Sequence, residues 1–375
     1  MTRDLRVHPL RTGPILKYQL APVPNAVTNT HMLHHLRLLH GSFHTGSPLT
    51  VGVWPRLLAI LALLVLAGCF SLATAAEGPS LAERLGYKVT DRLLIINGDD
   101  VGMCHAANLG TIQCLEQGLM RSATIMVPCP WFPEIAAYAK AHPDKEFGIH
   151  LCHTSEWHGY RWGPVAPPDQ VPGLLDPDGY LWHEVEQVYG HATPTQALVE
   201  ARAQIRRALA AGVDVTHLDS HMGTLQYDPE YMKVYLQLAV EFDLPLRMGS
   251  QETLTRFGHP EVRPQFAAKG VLFPDHFIYD KLPNESKDVK AFWLGIVKNL
   301  KPGVTELYIH AALPTDELQA ITGSWKTRSA ECALFSQDPD MKKALTDQGI
   351  ILIGYRAIRD LQRRHLQPTI KESVR

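Results

Sequence analysis

Four short stretches place polar groups where chemistry can be done. Asn97-Gly98-Asp99-Asp100 directly follows the apolar run LLII. Two adjacent carboxylates repel one another unless a metal or a shared proton removes the conflict. His150 sits in FGIHLCHTSEW, where a strand histidine is either a satisfied core residue or a ligand. In Thr216-His217-Leu218-Asp219-Ser220-His221 the period of a strand puts His217, Asp219 and His221 on one face. Three ionisable groups on an inward face are unfavourable to bury without partners, and a metal accounts for them better than an apolar core does. The fourth group is His310 in ELYIHAALPTDEL. Two His and one carboxylate, with positions left open for water, make a catalytic rather than a structural metal site.

The elements that must position these groups follow a βα rhythm. Apolar, β-rich runs at 93–97, 123–127, 147–151, 216–221, 244–248, 271–277, 306–312 and 349–355 alternate with helical segments at 108–117, 133–141, 195–211, 229–242, 287–300 and 340–346. The alternation predicts a parallel sheet, and about eight strands predict an α/β fold of the TIM-like β/α-barrel type with helices outside. An open doubly wound sheet is the alternative, although no GxGxxG follows the first strand. Parallel barrel strands bring their C-terminal ends to one rim, so the four groups converge there. Residues 157–190, rich in Pro, Gly and Trp, break the rhythm and read as a lid, a substrate wall or an irregular insertion.

The stretch NGDDVGMCHAANLGTIQCLEQGLMRSATIMVP, followed in order by FGIHLCHT, THLDSH and YIHAALP, resembles the YdjC-like carbohydrate deacetylases over roughly residues 92–358. That resemblance implies a β/α barrel that removes acetyl groups from N-acetylated sugars or oligosaccharides with one divalent metal ion, Mg or Zn foremost. It implies Asp100, His150 and His221 as metal ligands, Asp99 as general base and His310 as general acid near the leaving group. His217 and Asp219 then orient the ligands.

Some positions depart from the family. Many relatives carry further His residues after the HxDSH box, whereas this chain reads HMGTLQYDPEY, which changes the wall beside the metal. Val101 stands where relatives usually have Phe, and Cys104 where a small hydroxyl is common. His153 falls on the opposite strand face from His150. Trp325 and Arg328 in GSWKTRSAE either line the pocket or begin an exposed helix, and Asp275 and His276 are read the same way. The alternatives are an exported carbohydrate-binding protein without turnover, or a glycoside hydrolase; Trp157, Trp162 and Trp182 would stack on sugar rings in either case.

The chain has 375 residues, with 36 Lys+Arg against 38 Asp+Glu, which excludes a strongly basic nucleic-acid binder and a disordered acidic tail. Six Cys are too sparse for a disulfide scaffold, and those after residue 76 show no CxxC spacing, so they read as buried thiols. Residues 1–50 hold a single acidic residue, Asp4, and six of the 19 His, and read as an unstructured leader or a mis-assigned start. The eleven apolar residues of LLAILALLVLA, 57–67, span about half of a bilayer core, too short for a transmembrane helix. With Arg56 before it and small residues after it, this segment reads as a signal peptide over 51–76. Leu66-Ala67-Gly68-Cys69 resembles a lipobox that would lipidate Cys69, and Ala73-Thr74-Ala75 offers ordinary cleavage. Either exit implies export, to the periplasm or to a bacterial membrane through the lipid anchor. Without residues 1–76 the balance becomes 30 basic against 37 acidic groups, an acidic 77–375 barrel domain whose sequence specifies no oligomeric state.

Overall fold

The computed structural model describes residues 78–278 and 288–366. The leader, the signal-like segment and Cys69 lie outside the described residues. Seven strands are described: β1 (Arg92–Val101), β2 (Ser122–Ile125), β3 (Glu146–Leu151), β4 (Val215–Ser220), β5 (His276–Phe277), β6 (Gly303–Ile309) and β7 (Ile350–Leu352). Every pairing is parallel, in the order β4-β3-β2-β1-β6-β5, with β7 also on β1. The sheet curls into a half-barrel surrounded by helices, as the alternation of strand and helix predicts.

β1 is the organising strand, and its composition explains why. Its apolar run splits at period two: Leu94 and Ile96 enter the main core, while Leu93 and Ile95 enter a smaller one with Val304, Ile353, Tyr355 and Ile358. One edge of β1 runs along β6 from Arg92 to Gly98. The other is shared, with β7 against Arg92–Leu94 and β2 against Asn97–Val101.

Two expected strands shrink. Residues 244–248 form no strand, only a bridge from Leu246 to Leu218, and 271–277 yields the two residues of β5. Pro245 and Pro274 each sit inside these runs and have no N–H to give to a ladder. The helices start where the capping chemistry dictates. Thr193 accepts from the Gln196 N–H before Pro194–Ala210, and Asp228 accepts from Glu230 and Tyr231 before Pro229–Phe242. Among the described residues no helix is long and apolar enough to cross a membrane, and Cys104, Cys114, Cys129, Cys152 and Cys332 are all buried free thiols.

The 157–190 region is irregular up to the short helix Val185–His191, with two short turns (Pro168–Gln170 and Pro172–Leu174) and isolated bridges. Buried Glu200 fixes it by accepting the backbone N–H groups of Val165 and Ala166.

Packing reaches the chemistry through Gly110, in the helix His105–Gln117. A β-carbon there would lie 2.6–2.9 Å from the backbone of Ala312, two residues beyond His310. Gly110→Ala should therefore push the chain after β6 and lower stability by about 1–3 kcal/mol, read as a lower thermal midpoint. An unchanged thermal midpoint would show that this contact yields freely.

Candidate active site

The polar groups that end β1, β3, β4 and β6 gather at the C-terminal rim of the sheet, around a cavity of about 440 Å³. Asp99, Asp100, His150, His221, His310 and Arg328 all line it. Adjacent residues on a regular strand point to opposite faces, yet Asp99 and Asp100 both reach the cavity. The β1–β2 register shifts between Gly98 and Val101, and Asp100 adopts a left-handed backbone with φ 63°. A bulge thus turns a strand end into two convergent carboxylates, at the backbone strain typical of functional sites.

Asp100 Oδ1, His150 Nε2 and His221 Nδ1 lie 3.3, 3.4 and 3.2 Å from one another. All three side chains are at most 5% exposed. Each imidazole is held from its far side by a carboxylate. His150 Nδ1 donates to Asp219 Oδ1 at 2.7 Å, and His221 Nε2 donates to Glu156 Oε2 at 2.9 Å. These bonds orient the rings and leave Nε2 of His150 and Nδ1 of His221 facing Asp100, the arrangement of a metal-binding histidine backed by a carboxylate. Asp100 Oδ1 is buried and accepts no hydrogen bond among the described residues.

Two nitrogens and a carboxylate oxygen packed this tightly need positive charge among them. Metal–ligand bonds of about 2.0–2.2 Å fit a triangle of this size. The residues present therefore fit a divalent cation. Against burial, the neighbouring carboxylates hold the His150 imidazole well above its ordinary range, and Glu156 with Asp100 raises His221 to about 9.

A second group, Asp99, His150 and Asp219, is also close enough for an ion. There Arg247 already supplies the charge. Its guanidinium makes a two-point contact with Asp99, both bonds at 2.7 Å, reaches Asp219 at 3.0 Å and pairs with Glu306 at 2.8 Å. Glu306 in turn accepts from the Tyr355 hydroxyl. Asn97 donates to Asp99 as well, at 2.9 Å. Burial pushes the Asp99 carboxyl up, but Arg247 overrides it and holds the group at about 2.

The helix Trp325–Gln337 closes another side. Arg328 donates to Asp100 Oδ2 at 2.7 Å, and one turn on, Glu331 accepts the His310 backbone N–H at 2.8 Å. Asp100 is held well below the carboxylate range, Arg328 outweighing the upward push of burial. His310 Nε2 lies 3.7 Å from Asp100 Oδ2, with its side chain 31% exposed.

The sequence-derived residues divide accordingly. Asp99, Asp100, His150, His221, Asp219, His310 and Arg328 converge. His217 does not orient a ligand: it is buried, bonded to Thr216 Oγ1 and stacked on Tyr355 at 3.7 Å. β4 ends at Ser220, so His221 leaves the strand in a one-turn segment and no longer shares the face of His217. Trp325, the first residue of this helix, packs half-buried on the core and is absent from the cavity lining. Trp157, Trp162 and Trp182 are absent from it too; Trp182 bonds to Gly173 and stacks on His191. The lining aromatics are Tyr227, Phe277, Trp293 and Tyr308. His153 bonds to Ala197 O, Asp275 accepts from the Val304 N–H, and His276 bonds to Pro302 O. Sequence reasoning does not reach Glu156, Arg247, Glu306 or Glu331. Arg247 alone carries a signal, as a cation inside the otherwise apolar LPLRM.

The comparisons agree with this architecture. The YdjC-like protein family matches residues 93–347. A carbohydrate deacetylase of Thermus thermophilus is 31% identical over 287 residues, covering 75% of this chain and 98% of its own. One from Thermoanaerobacter pseudethanolicus is 28% identical over 264 residues, covering 70% and 98%. A solved structure from Enterococcus faecalis superposes with a TM-score of 0.62 at 26% identity, covering 72% of this chain and 99% of its own. With the family match spanning most of the chain and the rim residues in place, the chain belongs to the YdjC-like family.

Proposed function

We propose that this protein is a metal-dependent carbohydrate deacetylase, hydrolysing the acetamide of N-acetylated sugars. The observation that carries the proposal is the triangle of Asp100, His150 and His221 closed on an unsatisfied buried carboxylate oxygen, with a second, separately anchored carboxylate beside it. Asp100, His150 and His221 would hold the ion, Mg or Zn in the first instance. When bound, such an ion acidifies water and polarises a carbonyl.

The chain's own residues do the rest. Asp99, fixed by Arg247 and Asn97, accepts the proton of the attacking water. Asp219 and Glu156 keep the ligand rings in place. His310, facing the cavity with its backbone pinned by Glu331, is kept neutral by burial, which lowers it to about 4, and would hand to the departing amine the proton that the attacking water has released. A C–O bond forms, the C–N bond breaks, and acetate and a free amino sugar leave. Export is part of the same proposal, on the strength of the apolar segment 57–67 and its small-residue exit, and N-terminal sequencing of the mature chain checks it.

The test is acetate release from a panel of N-acetylated sugars, with chelation and metal add-back. Release that stops on chelation and returns on add-back is expected, with no new reducing ends. His221→Ala should lose both bound metal and activity, because the remaining two ligands no longer close the triangle. Undiminished acetate release after exhaustive chelation would overturn the metal assignment.

A further inference from the structure

The helix His105–Gln117, which follows the Asp99–Asp100 strand end, packs on the helix Trp325–Gln337, which supplies Arg328 to Asp100. Gly118, one turn after Cys114, lets the two backbones meet. A β-carbon there would lie 2.4 Å from Phe335 O and 2.8 Å from Ser336 Cα. Polar bonds fix the contact: the Leu119 N–H donates to Phe335 O at 2.9 Å, Gln113 to Ser336 Oγ at 3.2 Å and Gln337 to Gln117 Oε1 at 2.7 Å. Between these bonds two thiols face each other. Cys114 Sγ lies 3.5 Å from Cys332 O, Cys332 Sγ lies 3.7 Å from Gly110 O, and the two side chains interact directly. Both are buried, and neither lines the cavity of the proposed active site.

A disulfide requires α-carbons within about 7 Å and side chains directed at one another. The glycine brings the backbones in, and each sulfur reaches the opposite helix. We propose that Cys114 and Cys332 are an oxidisable pair, a covalent modification site whose disulfide clamps Trp325–Gln337 to His105–Gln117. Contact with the Cys114 thiol holds Cys332 below the ordinary thiol range, so Cys332 is the attacking sulfur. As a thiolate it attacks a disulfide oxidant, such as oxidised glutathione or a disulfide-exchanging protein, and expels one thiol. Cys114 then loses its proton and displaces the other. One S–S bond forms in the chain, two S–H bonds are lost, and the oxidant leaves as two thiols. Burial places the reaction during folding, before the helices close over the sulfurs, and export, proposed above, would put the chain among such oxidants. The bond spans 218 residues of sequence, so it restricts the unfolded chain strongly. In the folded chain it steadies the helix whose Arg328 and Glu331 bond Asp100 and the His310 backbone. The pair does not depend on the deacetylase proposal.

The test makes the full chain in host cells with an oxidising cytoplasm and, in parallel, in ordinary reducing cells. Each preparation is alkylated in denaturant and mapped by peptide mass. The oxidising preparation should yield the Cys114 and Cys332 peptides joined and lighter by the hydrogens lost, with fragment ions placing the bond on Cys114 and not on Cys104. Its thermal midpoint should lie about 5 °C above that of the reducing preparation, a gain that a phosphine reductant removes. Amide exchange across 325–337 should slow by about tenfold. Cys332→Ala from the oxidising cells should show neither link nor gain; the two wild-type preparations decide the matter even if that variant does not fold. Both cysteines alkylated in the oxidising preparation, or a bond from either to another cysteine, overturns the pair. A joined pair with unchanged midpoint and unchanged exchange overturns the clamp.

Discussion

Asp99→Asn is expected to slow acetate release by about 10²–10⁴ while leaving the bound metal in place. Asparagine keeps the shape of the side chain and has an oxygen that can still accept from Arg247 and Asn97. It cannot take a proton from water at neutral pH. The ligand atoms proposed for the metal belong to Asp100, His150 and His221, none of which has a described hydrogen bond to Asp99. Arg247 keeps Asp219 and Glu306 as partners, so its charge is not stranded in the core. The measurement is paired: turnover on an N-acetylated sugar, and metal content per chain of the same preparation. Full activity in Asp99→Asn would assign the base to another group. Lost activity with lost metal would make Asp99 a ligand instead.

Arg247→Met should be the most destabilising single change at the site. The guanidinium is 4% exposed and touches three carboxylates, of which Asp99 is 4% exposed and Asp219 and Glu306 are fully buried. Removing the cation leaves these groups facing one another in a poor solvent for charge. Breaking one buried pair costs about 3–5 kcal/mol, which for a chain of this size lowers Tm by roughly ten degrees. Arg247→Lys separates stability from positioning. It retains a charge but cannot bond Asp99 at two points while reaching Asp219 and Glu306. That variant should fold, hold metal and show a depressed kcat with KM little altered, because what moves is the base and not the sugar contacts. A Lys variant with the wild-type kcat would reduce Arg247 to a structural counter-ion.

The rim residues are legible in the sequence because a polar residue inside an apolar parallel strand is unfavourable to bury unless something binds it. His150 and Asp219 interrupt β-rich runs, and the parallel topology sends those strand ends to one rim. The bulge that aims Asp99 and Asp100 together is not legible, since a register shift belongs to the pairing with β2 and not to β1 alone. The helix Trp325–Gln337 escapes for a related reason. It buries Arg328 and Glu331 beside Cys332, Leu334 and Phe335, so the face toward the site is polar and no single apolar stripe marks it. Periodicity places His221 on the strand, whereas the chain turns at Ser220 and delivers the ring from a loop. Function here sits where local pattern and tertiary demand diverge.

The order of the strands along the chain divides the site between an earlier and a later stretch. β1, β2, β3 and β4 are consecutive both in sequence and in the sheet, so the three residues of the triangle are all supplied by the chain up to His221. The parts that hold Asp99 and Asp100 come later, from Arg247 and from Arg328, the latter 228 residues beyond its partner. The residues proposed to hold the metal and the cations that hold Asp99 and Asp100 thus come from different stretches of one chain, the first up to His221 and the second from Arg247 onward.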